Sequence, residues 1–316
     1  MLRATWWITV AVLLAAAVST LARSWWIADL VANLRVQLIL GLMATLITSA
    51  VARNWKLVSM SGVVLLWQAS WLWSAFVADS ALPADGPALK VCTINVLSQN
   101  TQYDRIIESL RGADPDVVAV LELSSPLQEK LIQDLGQRYP YRLLEPHDDG
   151  NFGIGLFSRF PLQGARVFHL SAPPVPSIQT AVEWNGGTVQ LIVTHPVPPI
   201  SSRFFRARNL HLNLLAKRVL ILRQEHPDEP VIVVGDLNLT PWSPVFRDFL
   251  IAADLHDASR GHGLTPTWYR WPLFPFGLVL DHGLATQDLV CTRRAVHGDV
   301  GSDHRPVTFE FTPAAK

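Results

Sequence analysis

The chain has 316 residues, enough for one large domain or two ordinary ones, and its 26 Lys and Arg balance 26 Asp and Glu. That neutrality argues against a broadly basic protein gripping duplex DNA, and two distant cysteines, Cys92 and Cys291, fit neither a disulfide framework nor a metal knuckle. Only 16% of residues are charged and mean hydropathy is +0.24, so apolar sequence must be concentrated somewhere.

It is concentrated at the front. Thr5 to Ala22, Val36 to Ala52 and Leu57 to Ala78 contain no charge, and each approaches the ~20 residues of a spanning helix. Trp6, Trp7, Trp25 and Trp26 crowd the ends of the first stretch, as interfacial aromatics do. A cleaved signal peptide would account for the first stretch but not the next two. The sequence therefore predicts three transmembrane helices within residues 1–80, in a multi-pass protein of the cell inner membrane. Arg3, Arg53 and Lys56 against Arg23 and Arg35 lean toward an inside amino terminus, which places the rest of the chain outside the cytoplasm. A Pro/Gly linker over 81–88 marks the change of composition, and a soluble domain is expected over 89–316. Its 21 basic residues against 23 acidic ones make it slightly acidic, so nucleic acid is possible as a partner but not favoured by charge.

Within that domain, Leu89 to Asn95 reads as a strand and Asp104 to Arg111 as a helix by the spacing of Ile106, Ile107 and Leu110. Val117 to Leu121 is a buried run that ends on Glu122, an acid costly in an apolar setting unless something positive meets it. Ser125 to Arg138 reads as a helix and Gly153 to Ser158 as a strand. Gln179 to Trp184 and Thr188 to Thr194 flank Asn185-Gly186-Gly187, a hairpin signal, and the second strand runs into His195-Pro196. Arg203 to Arg223 is a long amphipathic helix, on which Arg208 reads as a solvated or salt-bridged position. Val231 to Gly235 is a β-branched strand delivering Asp236 and Asn238, two residues apart, to one sheet edge. Phe246 to Ala253 is a short helix. Trp268 to Leu280, with Trp271, Phe274 and Phe276, is either buried padding or a surface for lipid or apolar substrate. Leu278 to Leu280 reads as a strand with Asp281 and His282 at its exit, and Ser302-Asp303-His304 precedes a last strand, Val307 to Phe311. Helices alternate with strands early and hairpins come later, which suits a mixed α/β sandwich better than a Rossmann sheet.

Asn95, Glu122, His195, Asp236, Asn238, Asp281, Asp303 and His304 thus sit at strand exits. Each also has a plain structural reading, as a turn residue or a cap. His282 reads as a bystander, Ser158-Arg159 as structural, and His169, His211, His256, His262 and His297 lack a comparable context. The set, above all Gly235-Asp236-x-Asn238 and Ser302-Asp303-His304, resembles the endonuclease/exonuclease/phosphatase (DNase I-like) superfamily, in its membrane-anchored bacterial form. The similarity spans roughly Leu89 to Thr312. It implies a four-layered α/β sandwich and metal-assisted cleavage of a phosphate ester. By that resemblance Glu122 is the main Mg²⁺ ligand (Mn²⁺ being possible), with Asn95 and Asp303 on or near the metal. Asp236 orients or deprotonates the attacking water, and Asn238 holds a phosphate oxygen. His304, held by Asp281, faces the phosphorus, and His195 is a second donor. An oxygen-rich site without a cysteine cluster suits Mg²⁺ on chemistry alone. The rival, a catalytically inactive receptor or scaffold on the same fold, predicts losses among these side chains, and none is lost.

Overall fold

A computed structural model describes residues 2–78, 81–270 and 276–315. Two six-stranded sheets form the body of the molecule. The first has strand order β11-β12-β1-β2-β4-β3, with β1 Leu89–Asn95, β2 Val117–Leu121, β3 Tyr141–Glu145, β4 Ile154–Ser158, β11 Leu289–Val296 and β12 Val307–Pro313. The second has order β5-β6-β7-β8-β10-β9, with β5 Leu162–His169, β6 Pro176–Trp184, β7 Gly187–Thr194, β8 Val231–Asp236, β9 His256–Asp257 and β10 Asp281–Ala285. Each sheet has one parallel pair near its centre, β1 with β2 and β7 with β8, and is otherwise antiparallel. A parallel neighbour requires a crossover, and helices supply both. Helix α5 Tyr103–Ala113 joins β1 to β2, and α7 Ser202–Glu225 joins β7 to β8.

The layers follow from where these strands bury their two faces. Val91, Leu121, Val193, Val234 and Phe309 fill the space between the sheets. Cys92, Ile94, Val118 and Val120 face the other way, against Ile106, Ile107 and Leu110 of α5 and Leu127 and Leu131 of α6, Ser125–Leu135. Ile192, Val231 and Val233 face Leu212, Leu215 and Val219 of α7 and Phe246 and Phe249 of α8, Pro244–Ala253. Strands buried on both faces read as continuous apolar runs, which is why β1, β2 and β8 were legible. The four-layered sandwich is thus the observed arrangement. Gly283 of β10 lets the sheets close up, because a Cβ there would meet the Phe309 ring at 2.8 Å. Asn185 and Gly186 take φ of 52° and 74°, the two positive values of the hairpin turn between β6 and β7.

Four strands have no counterpart in the sequence pattern, and each is short or half exposed. Strands β3 and β5 are edges with mostly exposed or half-buried residues, β9 has two residues, and the outer strand β11 is largely half-buried. One expected strand is placed differently. Leu278 to Leu280 is a loop, held by bonds to Thr267 and Trp268, and Asp281 opens β10 instead of closing a strand. Trp271 and Phe274 of the aromatic stretch lie outside the described residues; Phe276 is exposed.

The apolar amino-terminal region forms α1 Leu2–Val18, α2 Trp26–Asn33, α3 Arg35–Val51 and α4 Trp55–Ser70. No single helix among the described residues is long and apolar enough to cross a membrane; the bent pair Trp6–Leu21 and Trp26–Asn33, at 114°, passes by length and composition only. Seventeen residues of helix α3 reach only about 25 Å, against a hydrocarbon core of roughly 30 Å. The third apolar stretch stops being an α-helix at Ser70 and continues as a turn and a short 3-10 helix, Trp73–Ala75. The region also docks on the sandwich. Leu72, Trp242 and Val279 form a small core with Val36 and Ile39 packed against it. The guanidinium groups of Arg35 and Arg247 both pack on the Trp71 ring, at 4.4 and 4.1 Å from its centre. The linker is ordered where it meets β12: the Ala84 amide donates to the Pro313 carbonyl.

Candidate active site

The strand directions bring the polar exits together. Asn95 ends β1, Glu122 follows β2, His195 follows β7, and Asp236 ends β8. Asp281 starts β10 and lies directly across from Asp236 in the antiparallel register. Asp303 and His304 precede β12, whose start lies beside the end of β1. One edge of the double sheet therefore carries all eight predicted residues. Seven of them (Asn95, Glu122, His195, Asp236, Asn238, Asp303 and His304) line a single cavity of about 940 Å³, and Asp281 stands behind His304.

Asp236 is the hub. Its Oδ1 accepts the Asn238 amide at 2.9 Å. Its Oδ2 accepts from Asn95 Nδ2 at 3.3 Å and faces His195 Nε2 at 3.4 Å and His304 Nε2 at 3.5 Å. Burial opposes its ionisation, but His304, His195 and the Asn238 amide outweigh that and bring its pKa down to about 2. His304 Nδ1 lies 2.8 Å from Asp281 Oδ2. Burial alone would make this imidazole neutral; Asp281 and Asp236 on its two sides outweigh that and push it up to about 10. His195 is also raised, against burial, chiefly by Asp236. The site thus pairs carboxylates with imidazolium donors in a place largely closed to water.

Glu122 has a different environment. It is 7% exposed, and it accepts only from neutral groups: Asn95 Nδ2 at 3.0 Å, the Ser98 amide at 3.0 Å and the Ser98 hydroxyl at 3.1 Å. No side-chain cation forms an ion pair with it among the described residues. A buried carboxylate in that position suits a hard divalent cation, with Asp303 lining the same cavity. Asp303 Oδ2 is oriented by Trp268 Nε1 at 3.0 Å. Asp236, Asp281 and His304 also bring ligand-type atoms within 4.8 Å of one another. Their hydrogen bonds favour a charge-paired catalytic group there, because an imidazolium has no free lone pair for a metal.

Local backbone geometry supports this assembly. Leu97, Glu122 and Asn238 all have positive φ, at 60°, 61° and 54°, and all three follow a strand that feeds the site. Such conformations are uncommon for non-glycine residues and cluster where function constrains the chain. Gly235, at φ 150°, sits where a Cβ would fall 1.9 Å from the Thr194 carbonyl oxygen, so only glycine allows β7 and β8 to close at this point. Ser302 ties the last loop to β1 by donating to the Asn95 carbonyl at 2.8 Å and accepting the His304 amide at 3.0 Å.

Several contributors were not legible in the sequence. Ser98 and Trp268 orient Glu122 and Asp303, and Thr267 Oγ1 accepts the amides of Leu280 and Asp281. His211 bonds Thr194 Oγ1 at 2.7 Å behind His195. Arg208 is not solvated: it is fully buried and pairs with Asp29 at 2.9 Å. Asn238 spends its amide on the Pro196 carbonyl, at 2.9 Å, while lining the cavity. His282 is a structural pin, with Nε2 2.8 Å from the Leu239 carbonyl. Arg159 pairs with Asp114 and Asp116, away from the site.

A two-sheet sandwich with acid, amide and imidazole groups gathered at one edge defines a class of phosphoester-cleaving proteins. Residues 92–304 match the Endonuclease/Exonuclease/phosphatase family, and the chain belongs to it. Among solved structures, it resembles an endonuclease/exonuclease/phosphatase from Beutenbergia cavernae (22% identity, 72% of each chain covered, TM-score 0.59). It also resembles the human Nocturnin catalytic domain with bound sulfate (20% identity, 73% of this chain and 96% of that one, TM-score 0.59). A third is a mutant beta toxin from Staphylococcus aureus with bound magnesium ions (19% identity, 72% and 100%, TM-score 0.56). At these identities the structures establish the fold. No curated protein matches the chain.

Proposed function

We propose that the protein is a divalent-metal-dependent phosphoesterase, hydrolysing a phosphodiester or phosphomonoester, and that its amino-terminal helices hold it at a membrane. The observation that carries the chemistry is Asp236, whose one oxygen lies within 3.5 Å of Asn95, His195 and His304. Asp236 orients a water for in-line attack; its low pKa makes it a positioning acceptor more than a strong base. The water oxygen forms the new bond to phosphorus as the ester P–O bond breaks; the water gives up a proton through Asp236, and the departing oxygen takes one from His195, which Asp236 faces at 3.4 Å, so no net proton is required. His304, kept charged by Asp281, donates to the phosphoryl oxygens where negative charge builds, and His195 supplies a second donor at the same face. Asn95 fixes the relation between Glu122 and Asp236 by donating to both. Glu122, with Asp303 and Asn95 beside it, would hold Mg²⁺ (or Mn²⁺), which supplies Lewis-acid neutralisation of the phosphate.

Membrane attachment is supported by the three uncharged apolar stretches and by the exposed aromatic and aliphatic side chains of the helices, among them Trp7, Ile47, Val63 and Leu66. The lysine and arginine balance favours an inner-membrane setting with the catalytic domain outside the cytoplasm. The test is a panel of phosphodiesters and phosphomonoesters, including oligonucleotides, assayed on the full chain with Mg²⁺, Mn²⁺ or EDTA. Turnover that is insensitive to EDTA would refute the metal assignment.

A further inference from the structure

The cavity is larger and more apolar than a phosphate group alone requires. Its floor carries the catalytic side chains, but Leu30 of α2 and Phe152, Val197, Ile200, Phe204 and Leu278 form carbon walls. Ile200 is 65% exposed and opens onto this space, and Arg203 and Arg270 line it with positive charge suited to a phosphate. Leu30 belongs to the apolar amino-terminal region, where Trp25 and Ile27 are also exposed. We propose that the cavity takes an amphiphilic phosphoester, with its phosphate on the polar floor and a long hydrocarbon substituent between α2 and the segment 198–204. This inference rests on the phosphoesterase reading above.

The test compares hexadecyl and ethyl p-nitrophenyl phosphate, which share one leaving group, on the full chain in nanodiscs. The long-chain ester is expected to be favoured in kcat/KM by about tenfold or more. Leu30→Ser and Phe204→Ser are expected to lower that ratio. Equal turnover of both esters, a ratio unmoved by either variant, or a preference for a short oligonucleotide overturns the inference and leaves the phosphoesterase reading intact. If neither ester is cleaved while a phosphomonoester or an oligonucleotide is, the inference is overturned; if no ester of any class is cleaved with Mg²⁺ or Mn²⁺, the phosphoesterase reading fails. Thermal stabilisation by hexadecylphosphonate over methylphosphonate, lost in Leu30→Ser, then still upholds the cavity assignment; equal stabilisation overturns it.

A second observation stands independently. Arg208 Nη1, fully buried, donates to Asp29 Oδ2 at 2.9 Å and to the Asn238 carbonyl at 3.2 Å. Four residues along α2, Asn33 Oδ1 accepts the Thr240 amide at 2.7 Å and the Thr240 hydroxyl at 2.9 Å, while the Asn33 carbonyl accepts Trp242 Nε1 at 3.0 Å. Helix α2 therefore grips the chain over 238–242, immediately after Asp236 and including the left-handed Asn238. The geometry points to Asp29 and Asn33 as positioning residues that hold the catalytic loop from the amino-terminal region. Asp29→Asn and Asn33→Ala in the full chain should lower kcat about tenfold or more, well below the melting temperature, with KM little changed. Asp29→Glu should restore part of that loss. If the Asp29 variant does not fold, Asn33→Ala and Thr240→Val decide the matter. Unchanged kcat in the folded variants overturns the assignment.

Discussion

At the scale of single residues, the proposed chemistry depends on opposing charges held together in a buried cluster. His304 is useful as an imidazolium only while Asp281 faces its Nδ1, and the 2.8 Å contact between them is buried on both sides. Asp281→Asn is therefore expected to lower kcat by roughly 10³-fold with little change in KM, read from steady-state kinetics, as when an orienting carboxylate behind a histidine is neutralised. Glu122 plays the complementary part. Glu122→Gln keeps the shape and the Ser98 contacts but removes a charge that forms no ion pair among the described residues, so magnesium-supported turnover should be lost while the fold is retained. Full activity in that variant, with an unaltered magnesium titration, would show that the cation sits elsewhere.

Among elements, the junction of β7, β8 and α7 decides whether the edge is assembled. Gly235→Ala would drive a methyl group against the Thr194 carbonyl and is expected to cost at least about 2 kcal/mol, read as a lower denaturation midpoint. Helix α7 presses His211 against Thr194, and burial, assisted by the charge of His195, lowers the His211 pKa to about 4. The folded state then keeps this ring neutral while the unfolded chain protonates it near 6.5. Stability from this group is complete above pH 6.5 and is lost as pH falls from 6.5 toward 4, by about 3 kcal/mol at most. Burial depresses His282 and His297 in the same direction, so melting temperatures should fall across that window, and His211→Gln should flatten the dependence without abolishing it.

Over the whole molecule, the amino-terminal region and the sandwich behave as partners. A fragment beginning at Leu89 would leave Arg208 buried without Asp29 and would expose Trp242 and Val279, which now pack against Leu72. Removing one partner of a buried ion pair typically costs about 3–5 kcal/mol. The fragment is therefore expected to melt well below the full chain and to aggregate, as thermal unfolding with light scattering would report. An equally stable, monodisperse fragment would show that docking contributes little.

Much of this was legible before any coordinates. Continuous β-branched runs announce strands buried on both faces, so β1, β2, β7 and β8 could be found, and the polar residues at their ends stood out as Asn95, Glu122, His195 and Asp236. What the sequence could not disclose depended on side chains meeting across long separations. Strands β3 and β5 carry too few buried residues to leave a pattern, and Asp281 opens a strand because its register partner is Asp236, 45 positions earlier. Apolar composition alone set the expectation that the first eighty residues pack away from water. Only the tertiary structure decided that α2 turns back onto the loop after Asp236 through Asp29, Arg208 and Asn33, because a buried charge declares its partner only when the partner is in place.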